Sequence, residues 1–278
     1  MMKGLMGIDI SRWVQSPQWL RWFLIAVAVC LLAYITNAII SEINPGNIWG
    51  IIYGTVATLV MVGVALYAIR RRMLKRDLGD SKVWVQFHLY GGTLFLLLMF
   101  MHSGFHLPSG AMNWWLWGLS VWVTLSGLLG VVIQKWIPRI LTSGLSVEAM
   151  YERVPDLVMQ IRDRAERLIE TCTDPIKDLY RKVVAPALAM PQPRMIYYFD
   201  ITGGIQSRMQ QMEYLKQFLS VEERESLDQL KAMFKTKLEL DAHYTLQRAL
   251  RLWLYTHVPL SLVLLVLVAL HLWAVLYY

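Results

Sequence analysis

Apolar and polar positions alternate in long blocks rather than at helix or strand periods. Five blocks are apolar enough, and near the roughly 20 residues a helix needs to cross a bilayer, to predict membrane spans. They run from about Phe23 to Ile40, Trp49 to Ile69, Val83 to about Phe105, about Asn113 to Ile133, and Leu252 to Tyr278. The first block is too long for a signal peptide's apolar region, and no small-residue cleavage site follows it. Between the fourth and fifth blocks the pattern turns polar, from about Gln134 to Arg251. There VEAMYERVPDLVMQIRDRAERLIETC has helical periodicity interrupted near Pro155. Pro186, Pro191 and Pro193 predict a loop, and Thr202-Gly203-Gly204 a turn. Ser220 with Glu223 predicts a capping box, opening a helix through LDQLKAMFKTKLELDAHYTLQRALRLW that joins the fifth span.

The expected architecture is therefore an all-α membrane protein. Five transmembrane helices, four of them forming a bundle, carry a helical soluble insert. The expected divisions are residues 1–21 as an N-terminal cytoplasmic segment, 22–133 as transmembrane helices one to four, 134–251 as the insert on the inner face, and 252–278 as the fifth transmembrane helix.

Composition narrows the class. Of 278 residues, 56% are hydrophobic and 17% charged, against about 25% charged in an ordinary soluble domain. Two cysteines, Cys30 and Cys172, are too few for a disulfide scaffold or a four-cysteine metal site. The net charge of +7 does not point to nucleic acid, because much of it flanks apolar blocks. Arg70, Arg71, Arg72, Lys75, Arg76 and Lys82 crowd one short loop, whereas the loops 41–48 and 106–112 hold no Lys or Arg. By the positive-inside rule the 70–82 loop faces the cytoplasm. The N-terminus and the insert are then cytoplasmic and the C-terminus outside, as in a bacterial inner membrane. The insert holds 18 Lys and Arg against 16 Asp and Glu, a balance that suits a soluble helical domain rather than a polybasic arm.

Histidine supplies the candidate chemistry. An ionisable side chain inside a membrane span is a functional-site candidate by default. The third span carries His88 and His102, and the fifth carries His257 and His271. Each pair is separated by 14 residues, about four helical turns or about 21 Å along one face. Trp84 precedes His88 by four residues and Trp253 precedes His257 by four, so the pairs begin at matching depth. With the insert on the inner side, the third and fifth spans run in the same direction. His88 then lies level with His257 near the inner side, and His102 with His271 near the outer side. Two imidazoles are too few for a bare zinc or copper ion. Haem brings four ring nitrogens and needs only two axial ligands, so two stacked bis-His b haems are the economical reading. The plainer alternative is that each histidine hydrogen-bonds to a nearby Ser or Thr.

HLYGGTLFLLLMFMH and HVPLSLVLLVLVALH are both His-x13-His. This double spacing resembles the cytochrome b family of quinol–cytochrome c oxidoreductases and, more loosely, the cytochrome b anchors of membrane dehydrogenases and hydrogenases and ferric-reductase-type membrane domains. The resemblance covers the second to fifth spans. It implies two b haems and quinone as an exchangeable partner. The chain departs from that family in an extra first span, the long insert, and the lack of a Pro-Glu-Trp-Tyr motif.

Other residues are secondary. Lys82, Arg248 and Arg251 are candidate contacts for the inner haem's propionates, and His106 for an outer quinone or proton site. His243 falls among polar residues and is expected on a solvated face. No dinucleotide, flavin or CxxC motif is present, so the chain needs partners: other subunits of a membrane redox complex, quinone or quinol, and a c-type cytochrome or iron–sulfur subunit. The leading expectation is transmembrane electron transfer by the cytochrome b subunit of a quinone-linked oxidoreductase complex. Its competitors are a transmembrane reductase serving an outer metal or oxygen acceptor, and a non-redox scaffold or transporter.

Overall fold

A computed structural model describes residues 17–72, 80–144, 150–217 and 219–277. Lys75 and Arg76 of the basic loop, and most of the expected 1–21 segment, lie outside the described residues. Among the described residues the chain is helical, without strands. The helices are α1 (Pro17–Ile40), α2 (Ile48–Arg72), α3 (Ser81–His102), α4 (Ala111–Gly144), α5 (Val154–Glu170), α6 (Asp174–Leu179), α7 (Ala185–Leu188), α8 (Ile201–Lys216) and α9 (Val221–Tyr277). Five of them, α1 to α4 and α9, are long and apolar enough to cross a membrane. The chain forms two compact units, one of residues 1–129 with 257–278 and one of residues 130–256.

In the first unit the apolar content is spread around each helix, as lipid-facing helices require. Leu24, Ile25, Val29, Ile35 and Ile39 of α1 are exposed, while Asn37 is its buried residue. Asn37 is satisfied there by donating to the Tyr53 hydroxyl of α2 at 2.8 Å. The core is built from Tyr53, Ala57 and Met61 of α2, Phe95, Leu98 and Met101 of α3, Leu119 of α4 and Leu264 of α9. The α3 helix starts at Asp80, whose side chain accepts from the Lys82 backbone N–H at 2.9 Å. It ends in a tight reversal: Gly104 and Phe105 take positive φ angles of 62° and 60°. A side chain at Gly104 would meet the Ile43 carbonyl oxygen at 2.2 Å, so this position needs glycine twice over.

The second unit is a small helical domain around Tyr180, Val184, Leu188, Tyr197, Met212, Leu227, Leu230, Phe234 and Leu246. The capping box predicted at its last helix is formed. Ser220 N–H donates to Glu223 at 2.9 Å and Glu223 N–H to the Ser220 hydroxyl at 3.4 Å. Hydrogen bonds from Thr173 and from Ser220 hold the Glu223 carboxyl below its ordinary value of 4.5. A carboxylate with a lowered folded-state pKa contributes stability above its ordinary pKa and loses it as acid titrates the folded form. Glu223→Ala is therefore expected to lower the thermal midpoint at neutral pH, and the difference from wild type to vanish as acid protonates the carboxylate, as read in unfolding curves across pH.

Two local expectations are corrected. Pro186 does not end a helix. It sits in the first turn of α7, directly after a π-helical turn over Tyr180–Val184. That wider turn accommodates the missing proline N–H and the ring's bulk. Pro191 and Pro193 do lie in non-helical chain. Thr202-Gly203-Gly204 is not a turn but the first turn of α8. Asp200 caps it by accepting from the Gly203 N–H at 2.8 Å. A Cβ at Gly203 would come within 2.1 Å of that carboxylate, which explains glycine where helix propensity alone argues against it.

Gly130 of α4 lets the Trp253 ring of α9 close over its backbone, and an added Cβ would lie 1.9 Å from the indole. Gly130→Ala is expected to destabilise the second unit by about 1–3 kcal/mol through overpacking, measured as a fall in the thermal midpoint with Trp fluorescence as the probe.

Candidate functional site

The first unit brings the four span histidines together in two pairs. The His88 and His257 ring centres are 6.4 Å apart, with planes crossing at 73°. The His102 and His271 ring centres are also 6.4 Å apart, at 81°. Because 88 meets 257 and 102 meets 271, α3 and the C-terminal part of α9 run in the same direction. The two pairs are separated by about 21 Å along the helices.

The spacing can be tested against a shared metal. A metal–imidazole nitrogen bond is about 2.0–2.1 Å and the nitrogen lies about 1.1 Å from its ring centre, so two rings on opposite sides of one metal have centres about 6.3 Å apart. Both pairs meet that spacing. Rotation about each metal–nitrogen axis makes a wide crossing angle permissible. Among the described residues no cluster of three His, Cys, Asp or Glu occurs. A bare ion at either pair would be short of ligands, whereas a macrocycle that fills the equatorial positions would not. The donor set therefore fits haem.

The surroundings orient the rings. His88 Nδ1 lies 3.2 Å from the Val64 carbonyl oxygen, and His102 Nδ1 lies 2.8 Å from the Gly50 carbonyl oxygen. A carbonyl only accepts, so both rings carry their hydrogen on Nδ1 and present the lone pair on Nε2. A metal-binding histidine is commonly fixed in just this manner by a partner on its other nitrogen. Each carbonyl belongs to α2, which runs beside α3 and supplies the oxygen from its side. At His257 the partner is a side chain, Ser126 Oγ of α4, 2.8 Å from Nδ1. Tyr67 of α2 covers one face of His88, with ring centres 5.0 Å apart.

Small residues make the close approaches possible. A Cβ at Gly54 would lie 2.7 Å from His102 Nδ1, and one at Gly127 would lie 3.4 Å from His257 Cε1. By contrast, Cβ atoms at Gly92 of α3 and Gly118 of α4 would meet nothing within 4 Å, leaving open space beside the spans. Gly92 is one helical turn beyond His88. Gly54→Ala is expected to push the His102 ring off the Gly50 carbonyl and leave the His88–His257 pair in place. Imidazole 15N NMR shifts of His102, compared with those of His88 and His257, check this.

Lys82 is exposed at the start of α3, six residues or about 9 Å along the axis before His88. Arg248 is exposed in the second unit. Arg251 is engaged within that unit, ion-paired with Glu152 and lying 4.1 Å over the Tyr151 ring. His106 is exposed beyond the Gly104–Phe105 reversal. His243 is not on a solvated face. It is 4% exposed, because this stretch of α9 is covered on several sides: Leu240 meets Val154 and Val158 of α5, while Leu238, Ala242 and Leu246 join the main core.

The chain matches no family model, no curated protein and no solved structure. Sequence reading did not find Val64, Gly50 or Ser126. The two carbonyls leave no trace in residue type, and Ser126 is one of several hydroxyls in an apolar span.

Proposed function

We propose that this chain is a transmembrane electron-transfer cytochrome that holds two b haems, one at His88 and His257 and one at His102 and His271, as the membrane subunit of a quinone-linked oxidoreductase complex. The observation that carries the reading is the repeated 6.4 Å ring spacing on parallel helices, together with carbonyl acceptors that leave the lone pairs of His88 and His102 on Nε2. Bound there, haem supplies one-electron redox chemistry at two depths. The chain's own task is to hold the rings rigidly, so that little rearrangement accompanies a change of charge at each level. His88 and His257 would hold one such group and His102 and His271 the other, a donor set that favours electron transfer over binding of a small substrate.

The lateral arrangement agrees with that role. Apolar exposed faces on all five long helices suit lipid, and the basic 70–82 loop orients the His88–His257 level toward the cytoplasm. Lys82, exposed six residues before His88, suits a propionate. His106, exposed at the opposite end of α3, suits a proton-exchanging contact with a quinone headgroup. The 134–251 unit suits docking by a partner subunit that supplies or accepts electrons. Proteoliposomes holding the purified chain test the reading. A quinol should reduce the b bands, and a quinone-analogue inhibitor should block that reduction. Reduction that ignores the inhibitor while an external metal or oxygen acceptor drains the bands would favour a transmembrane reductase.

A further inference from the structure

Three of the four paired rings have a hydrogen-bond partner on Nδ1, and the partners are of two kinds. His88 and His102 face backbone carbonyls, which no substitution can remove. His257 faces a side chain, Ser126. Among the described residues no hydrogen bond reaches His271. The His88–His257 level is thus anchored on both sides and the other level on one, and a single hydroxyl makes the difference.

Ser126 is well placed to control the ring. It is 8% exposed and His257 is 9% exposed. Its hydroxyl donates to the Val123 carbonyl oxygen at 3.0 Å. When the proton goes to that carbonyl, the oxygen accepts from His257 Nδ1–H, 2.8 Å away. The ring hydrogen then sits on Nδ1 and the lone pair on Nε2. Gly127, the next residue, leaves room for His257 Cε1, so Ser126 and Gly127 together form one seat for the ring. The His257 backbone is braced as well, its carbonyl accepting from the Ser261 hydroxyl at 2.6 Å.

We propose that Ser126 is a positioning residue that fixes the tautomer and donor strength of His257, and thereby sets the redox potential of the inner haem apart from that of the outer one. The inference rests on the dihaem reading. An acceptor on Nδ1–H raises the basicity of the ligating nitrogen and so favours the oxidised iron. Removing it favours the reduced iron.

The test is a potentiometric titration of the purified chain carrying Ser126→Ala, beside wild type and Ser126→Thr. In Ser126→Ala the inner haem should become easier to reduce. At a fixed ambient potential its reduced-to-oxidised ratio should rise several-fold, on a scale where tenfold is 59 mV for one electron. The outer haem should not move, and Ser126→Thr, which keeps the hydroxyl, should return the inner haem toward wild type. Two haems titrating identically in wild type and Ser126→Ala would overturn the role of Ser126 while leaving the dihaem reading intact. The same shift at both haems would also overturn it, as a general loosening of the bundle. A wild-type chain that binds no haem would overturn the dihaem reading itself. Should Ser126→Ala retain no inner haem, Ser126→Thr decides: retention with a near-wild-type potential supports the hydroxyl's role, and loss contradicts it.

Discussion

His271→Ala is expected to reduce bound haem from two per chain to one, removing the outer b band and leaving the inner one at its wild-type potential. The reason is geometric. His271 meets His102 and no other span histidine, while His88 and His257 form a separate pair about four helical turns away. Without His271, His102 alone would be left to hold the group, and among the described residues no third His, Cys, Asp or Glu joins the pair. His102→Ala should give the same spectrum as His271→Ala, because they are two ends of one clamp. His257→Ala should give the complementary spectrum. Haem content from a pyridine haemochrome assay, with the surviving band from a reduced-minus-oxidised spectrum, reads all three. Equal loss of both bands in any single variant would contradict the pairing.

The second large effect is expected within the second unit. Lys237 and Asp241 are both fully buried in the second unit and bond at 2.6 Å, one helical turn apart on α9. Burial pulls the Lys237 ammonium below the usual lysine range and pushes the Asp241 carboxyl above the usual carboxylate range, each against the attraction of the other. Asp241 also accepts from the Gln192 N–H at 2.9 Å, and Thr245 accepts from the Arg194 N–H at 3.2 Å. Through these bonds the proline-rich 191–194 stretch is tied to α9. Nearby, burial and then the Asp241 charge push the Tyr197 hydroxyl up to about 12. Lys237→Met alone leaves a buried carboxylate without its cation and should cost about 3–5 kcal/mol. Replacing both partners with apolar residues of similar size should restore most of that, since a fully apolar pair escapes the desolvation penalty. Thermal unfolding of the single and double variants is the measurement. Near-additive losses would show that the two charges act independently.

How much of this was legible beforehand differs by element. The five long helices were legible because a membrane span is written in composition over about 20 residues, and α1 to α4 and α9 each contain one. The pairing of 88 with 257 and of 102 with 271 was legible because two equal spacings on like-directed helices admit one registration. The insert was harder. His243 was expected on a solvated face, and nothing in the polar pattern singled out Lys237 and Asp241 as buried. Burial on several sides of one helix depends on α5, α7 and α8 arriving around it, which no local pattern records. Gly203 read as a turn because glycine disfavours helix, yet the Asp200 carboxylate needs the space a side chain would fill. Pro186 read as a helix end because a proline normally is one, and the π turn ahead of it removes the clash. The carbonyls of Val64 and Gly50 were invisible, since a backbone oxygen has no letter in the sequence.

Haem stoichiometry of the intact, detergent-purified chain tests the central claim most directly. The account predicts two b-type haems per chain, both six-coordinate and low-spin, resolved as two one-electron steps in a potentiometric titration. A chain that folds with its helical content intact yet binds no haem when expressed with haem in excess would contradict it.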